Sequence, residues 1–231
     1  MKIVWNKVTP FSKWLALIIF IVFPFAGFWL GIQYGEVLGY LNSSNAPAVG
    51  NDYYSNVAVW QTATGNQGGF TIAYPLDFPT DQNYSPSPSA DWRMDANGVN
   101  GITYFTLTVP SAFEPQTNFA GAKLTVGASA NNVAVANCLA PDANGGPAQA
   151  TTTAVVNGIT FTVFHAADAG AGNYYQTTSY RTLHAGQCYA VEYTIHSSQI
   201  GNYPPEYQLH PFDEAQIASV LDRIVGTFRF Q

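Results

Sequence analysis

Apolar and polar positions change rhythm three times along this chain. From Trp14 to Gly35 there is no rhythm at all, only 22 uncharged, mostly apolar residues in a row. A helix of that length spans ~30 Å, the thickness of a bilayer's hydrocarbon core. Trp14, Trp29 and Tyr34 sit near its ends, where aromatic rings favour the interface, and Pro24 marks a tolerated kink. From Glu36 to Asn66 the pattern dissolves into turn formers such as Asn42-Ser43-Ser44-Asn45 and Gly50-Asn51-Asp52, as expected of a juxtamembrane stalk. Within it, Val57, Val59 and Trp60 could add a short strand to the domain beyond.

After Gly68 the period becomes two. Phe70, Ile72 and Tyr74 alternate with Thr71 and Ala73 until Pro75; Phe105, Leu107 and Val109 share a face of the run Thr103–Val109; Ala122–Ala128 reads as the next strand. Pro79 to Pro88 and Pro141 to Thr152 read as loops, and Asn100-Gly101 as a turn. Asn157-Gly158 between Val155-Val156 and Ile159-Thr160-Phe161 predicts a hairpin, because a type I′ turn needs positive φ at both central residues. Asn173–Leu183 and Gln187–Ile195 predict a second hairpin turned at His184-Ala185-Gly186, with Tyr189, Val191, Tyr193 and Ile195 on one side. The last change is to a helical period. Ile217, Val220, Leu221 and Ile224 form one stripe behind an Asp213 cap, Gly226 ends the helix, and Thr227–Phe230 closes the chain as a strand.

The expectation is an α+β protein: an N-terminal transmembrane helix followed by a mainly antiparallel β-sheet domain of six to eight strands, with a C-terminal amphipathic helix packed on the sheet. Its divisions are a cytoplasmic basic flank (1–13), the transmembrane helix (14–35), a stalk (36–66) and an extracytoplasmic domain (67–231).

Charge sets the orientation. Lys2, Lys7 and Lys13 precede the apolar run without an acid among them, so the N-terminus is expected in the cytoplasm and the domain outside a cell membrane crossed once. A cleaved signal peptide would have a shorter apolar core, and Ala46-Pro47-Ala48 lies too far from it to serve as the cleavage site. Beyond Val37, five basic residues face thirteen acidic ones, a net charge of about −8. Five scattered cations make no phosphate-binding surface, which argues against nucleic acid as a partner. Outside the cytoplasm the two cysteines, Cys138 and Cys188, are expected to form a structural disulfide.

Candidate chemistry is sparse. His165, His184, His196 and His210 show no metal-ligand spacing, and His165-Ala-Ala-Asp168 is better explained as a strand end before an acidic loop. No nucleophile elbow is present. Glu192, the one acid inside a confident strand, lies on the face opposite Tyr189 and Tyr193 and is expected to be solvated or paired with an arginine. No catalytic residue, cofactor or metal is therefore assigned. Tyrosine is the exception, with seven between Tyr174 and Tyr207. Tyr203 and Tyr207, outside the strands, and Tyr174 and Tyr175 at a strand start are the candidates for partner binding.

The landmarks Phe70-Thr-Ile-Ala-Tyr-Pro75, Asn157-Gly158, Gly172-Asn173-Tyr174-Tyr175, Gly186-Gln187-Cys188-Tyr189 and Leu221-Asp222-Arg223-Ile224-Val225-Gly226-Thr227-Phe228 together resemble a group of uncharacterised, membrane-anchored bacterial proteins with an extracytoplasmic domain. The opening F-x-I-x-Y-P and the closing helix and strand more weakly resemble PsbP-like domains. That resemblance implies an antiparallel sheet with flanking helices and a binding or assembly role. The function expected is a membrane-anchored extracytoplasmic binding or assembly module without catalytic activity. Its partners would be the lipid bilayer, through Trp14–Gly35, and an envelope protein or glycan. A minor pilin-like subunit and an envelope hydrolase are the alternatives.

Overall fold

Each alternating run becomes a strand, and the two sides of the strands separate into two cores. The computed structural model describes residues 13–14, 19–23, 59–65, 68–81, 88–94, 96–141 and 150–231. Contacts divide the chain into two units, Met1–Ala48 and Val49–Gln231. In the first, residues 13–14 and 19–23 are helical, with Phe20 and Phe23 exposed. The rest of the expected transmembrane segment lies outside the described residues, as does the stalk up to residue 58. Among the described residues no helix is long and apolar enough to cross a membrane.

The second unit holds nine described strands: β1 (Trp60–Gly65), β2 (Phe70–Pro75), β3 (Ile102–Val109), β4 (Phe119–Ser129), β5 (Ala150–Val156), β6 (Ile159–Gly170), β7 (Asn173–His184), β8 (Gln187–Ser198) and β9 (Arg229–Phe230). They form a three-stranded sheet, β1-β2-β9, and a six-stranded sheet, β3-β4-β8-β7-β6-β5, with every pair of strands antiparallel. β1 occupies residues expected to end the stalk. Its Trp60 lies 5.0 Å beneath the Arg223 guanidinium, which ties this strand to the C-terminal helix.

Among the described residues this unit has two α-helices, α1 (Asn132–Ala136) and α2 (Glu214–Val225). Asp213 caps α2, its Oδ1 accepting the Gln216 N–H at 3.0 Å. The stripe Ile217, Val220, Leu221, Ile224 and Val225 is buried. It packs with Phe70 and Ile72 of β2, Leu107, Leu124, Phe161, Val191 and Phe228 into the main core, between one face of the large sheet, the helix and the small sheet. Burying side chains of this size contributes ~1.5–3 kcal/mol each. Gly226 does end α2, at φ −58° in a right-handed conformation. Its carbonyl and that of Phe228 accept the Asn157 side-chain amide at 2.9 and 2.8 Å. The hairpin asparagine thus fastens the chain's C-terminal segment as well as turning its own loop.

Tyr180 and Tyr193 cross from the sheet to α2 and both donate to Asp222 Oδ1, each at 2.8 Å. Burial first, and the Asp222 charge after it, push both phenols well above the ordinary value near 10. Burial also raises Tyr104 and Tyr189. A phenol that ionises later in the folded state than in the unfolded chain leaves stability untouched below pH ~10 and removes it above. Alkaline titration should therefore show a subset of tyrosinate absorbance that appears only together with loss of the near-ultraviolet circular dichroism. Asp222→Asn should bring part of it to lower pH. Complete ionisation near pH 10 with the fold intact would contradict the arrangement.

The opposite face of the large sheet carries a second, smaller core. Trp92, Ala96, Ala134, Ala190 and the disulfide Cys138–Cys188 pack there, all buried. Residues 89–94 and 96–100 lie over the sheet, with Trp92 among them fully buried. Its ring rests on Gly101, where a Cβ would come within 2.5 Å of it, so no larger residue fits there. The expected turn at Asn100-Gly101 is absent: positive φ falls at Asn97 and Gly98, and Gly101 bridges to Ser89.

Candidate functional site

The long hairpins place a different set of side chains at the end of the sheet remote from the disulfide. β8 begins beside Cys188 and ends at Ser198, and the chain then folds into the irregular connection that leads to α2. The β6–β7 turn, Ala171-Gly172, lies against this connection: the Gly172 carbonyl accepts the Gln199 N–H at 2.8 Å. The β3–β4 connection joins from the other side, with Asn118 exchanging hydrogen bonds with Ser198 and donating its N–H to the His210 carbonyl. Three stretches far apart in sequence thus meet around residues 196–199.

All four tyrosines singled out from the sequence lie at this end of the sheet, Tyr174 and Tyr175 on opposite faces of β7, and all four are exposed, from 36% for Tyr175 to 60% for Tyr207. Tyr174 donates its hydroxyl to Gln199 Oε1. Tyr175 stacks on His196 with ring centroids 4.5 Å apart and planes within 13°. His196 Nε2 is in turn 2.9 Å from Asn173 Oδ1. The Tyr203 hydroxyl is 2.8 Å from Ser198 Oγ, and Tyr207 meets the Tyr203 ring edge-on at 6.4 Å. Each ring is held by its own neighbour while leaving one side to solvent.

Two hollows adjoin these rings. The larger, about 480 Å³, is lined by Ser111, Glu114, Gln116, Thr117, Tyr203 and Tyr207 among others. The smaller, about 240 Å³, is lined by Asp168, Tyr174, Tyr175 and Gln176 with the alanines of β6. Glu114 is a titratable group that the sequence alone does not single out. It sits half-buried in the first hollow. Burial, then the nearby Asp213 charge, push its carboxyl up, while the Asp213 backbone N–H opposes them. No motif announces it; only the return of the chain at residues 203–213 gives it this setting.

Aromatic faces, amides and hydroxyls surround Glu114 in the larger hollow and Asp168 in the smaller, and Asp213, near Glu114, is committed to the α2 cap. His165 and Asp168 stand on opposite faces of β6, since they are an odd number of residues apart on one strand. His165 contacts Thr178 and Asp168 accepts the Ala169 N–H. His184 stacks on Phe230 at 3.7 Å, at the disulfide end of the sheet. Among the described residues no three His, Cys, Asp or Glu side chains cluster as metal ligands would.

Glu192 lies on the second face as expected, but its surroundings are richer than a simple arginine pair. Both carboxylate oxygens accept the Met94 N–H at 2.9 Å, the Ser179 hydroxyl bonds it, and the charges of Arg181 and Arg93 are close by. Arg181 donates to the Met94 carbonyl at 3.0 Å and lies 4.2 Å over the Phe164 ring. This cluster fastens the Trp92 segment to the sheet.

The sequence matches no family model and no curated protein, and the expected resemblance to PsbP-like domains is not supported. Among solved structures the chain is similar to LpqN, involved in cell envelope biogenesis of Mycobacterium tuberculosis, at 10% identity and a TM-score of 0.31, over 78% of this chain and 96% of that one.

Proposed function

We propose that this chain is a non-catalytic binding or assembly module, anchored through Trp14–Gly35 with its domain on the outer side of a bacterial membrane, which engages an envelope protein or glycan through its tyrosine-bearing end. The observation that carries the reading is that Tyr174, Tyr175, Tyr203 and Tyr207 all lie at one end of the sheet, each exposed yet held by a neighbour. Tyrosine brings a large contact face and a polar tip with few rotatable bonds. Rings already fixed before binding lose little further entropy when a partner covers them. The apolar segment with its basic flank supports the location, and so does the disulfide, which belongs to an oxidising compartment.

The test is a photo-crosslinking residue placed at Tyr207 in the full-length chain in living cells, with the same residue at Leu183, exposed at the far end of β7, as control. The expected result is a discrete adduct from Tyr207 that Tyr203→Ala weakens. Its sensitivity to protease or to glycosidase tells protein from glycan. The same products from both positions, or none from Tyr207, would overturn the proposal.

A further inference from the structure

The six-stranded sheet has two edges, and they differ. Along the β3 edge runs the segment 79–81: the Pro79 carbonyl accepts the Thr108 N–H at 2.9 Å, the Asp81 N–H donates to the Thr106 carbonyl at 3.2 Å, and Thr80 bridges to Leu107. That edge is covered and carries a charge. The other edge is β5, Ala150–Val156, which pairs only with β6 among the described residues. Open edges are normally blunted by a charge, a proline, a bulge or a covering segment. β5 has no charged residue and no proline, its register with β6 is unbroken, and five of its seven residues are β-branched. Val155 stands 70% exposed on it.

An edge of this composition calls for a neutral strand of similar length. β5 itself meets that requirement. Antiparallel pairing with its own copy about Thr153 sets Thr152 opposite Ala154, and no like charges meet anywhere along the strand although the domain as a whole is acidic. A two-fold axis at a residue pair also keeps side chains of one face on that face. A strand of seven residues extends only ~23 Å, and one such pair buries less than the ~1,200 Å² of a standard interface, so the association is a weak one.

We infer that β5 is the contact between two copies of this chain, joined antiparallel near Thr153 into a continuous sheet. The inference does not depend on the tyrosine site and survives or fails separately from it.

Cysteine crosslinking in the full-length chain, in membranes, tests it. The native cysteines are joined to each other and leave no free thiol. Thr152→Cys, Thr153→Cys and Ala154→Cys are each oxidised mildly beside Leu183→Cys as control. The expected result is a dimer band for at least one β5 position, about ten-fold stronger than the control, because residues facing each other across an antiparallel pair have Cβ atoms only ~5 Å apart. Val155→Glu in the same background should reduce that band several-fold by placing an acid on each edge. Crosslinking no stronger than the control at all three positions, or a band indifferent to Val155→Glu, overturns the inference.

Discussion

Replacing Cys138 and Cys188 together by alanine should lower the stability of the domain by about 4 kcal/mol, the chain-entropy value for a loop of this length. The residues are 50 apart in sequence, with Cα atoms 5.5 Å apart and both side chains fully buried. The loop they close contains β5, β6 and β7, half of the large sheet. Without the bridge the unfolded chain regains that freedom. The second core also loses its link between α1 and the start of β8. In a domain of this size 4 kcal/mol corresponds to a fall in melting temperature of roughly 8–16 °C. Thermal unfolding of the full-length chain in detergent, with and without reductant, reads the same effect. A midpoint indifferent to both reductant and substitution would show that the bridge contributes nothing.

Much of the fold is legible in the sequence wherever a single physical signal acts alone. Phe70, Ile72 and Tyr74 alternate because one side of β2 faces the main core, and Ile217, Val220, Leu221 and Ile224 recur as a helix stripe for the same reason. Asn157-Gly158 takes φ of 49° and 81°, as the dipeptide implies. The Ala171-Gly172 turn has nearly the same geometry, φ 50° and 78°, but alanine does not advertise a left-handed conformation and β6 therefore looks shorter in the sequence than it is, while β7 is read at nearly its full length. β1 is anticipated only at its start, Trp60, for a different reason: its side chains are only partly covered, so Gln61–Gly65 lacks the contrast between buried and exposed positions that reveals a strand.

The segment over the second face shows what periodicity cannot report. Trp92 is buried from a short 3-10 turn, not from a strand or helix, and its fit depends on small residues at Gly101 and Gly127 in other elements. The candidate site lies between these cases. Exposure of Tyr203 and Tyr207 follows from their place beyond the strands, among prolines. Their placement at the same end of the sheet as Tyr174 and Tyr175 requires the register of β7 on β8, which sets Asn173 opposite Ser198 and which hydrophobic pattern alone leaves open.

Glu192→Ala should be the most damaging single substitution on the second face, costing about 3–5 kcal/mol, the usual consequence of leaving a buried charge without its counter-ion. The Met94 peptide is gripped at both ends: its N–H is taken by Glu192 and its carbonyl by Arg181, which is only 2% exposed. Removing the carboxylate frees one end and leaves Arg181, with Phe164 beneath it, in a site that no longer balances its charge. Glu192→Gln keeps an acceptor for Met94 and should cost less. The pH dependence separates electrostatics from packing. Burial outweighs the two arginines and holds the Glu192 carboxyl above its ordinary value of 4.5. An acid that binds its proton more tightly when folded gives the fold its full benefit below that value. The benefit is lost as pH rises through the folded-state pKa. Melting temperatures measured upward from pH 4 should fall in the wild type by more than the half-buried Glu114 accounts for, and Glu192→Gln should flatten that part of the slope. An equal slope in both proteins would mean that Glu192 is ionised as easily in the fold as out of it, and that the grip on Met94 is set by shape and not by charge.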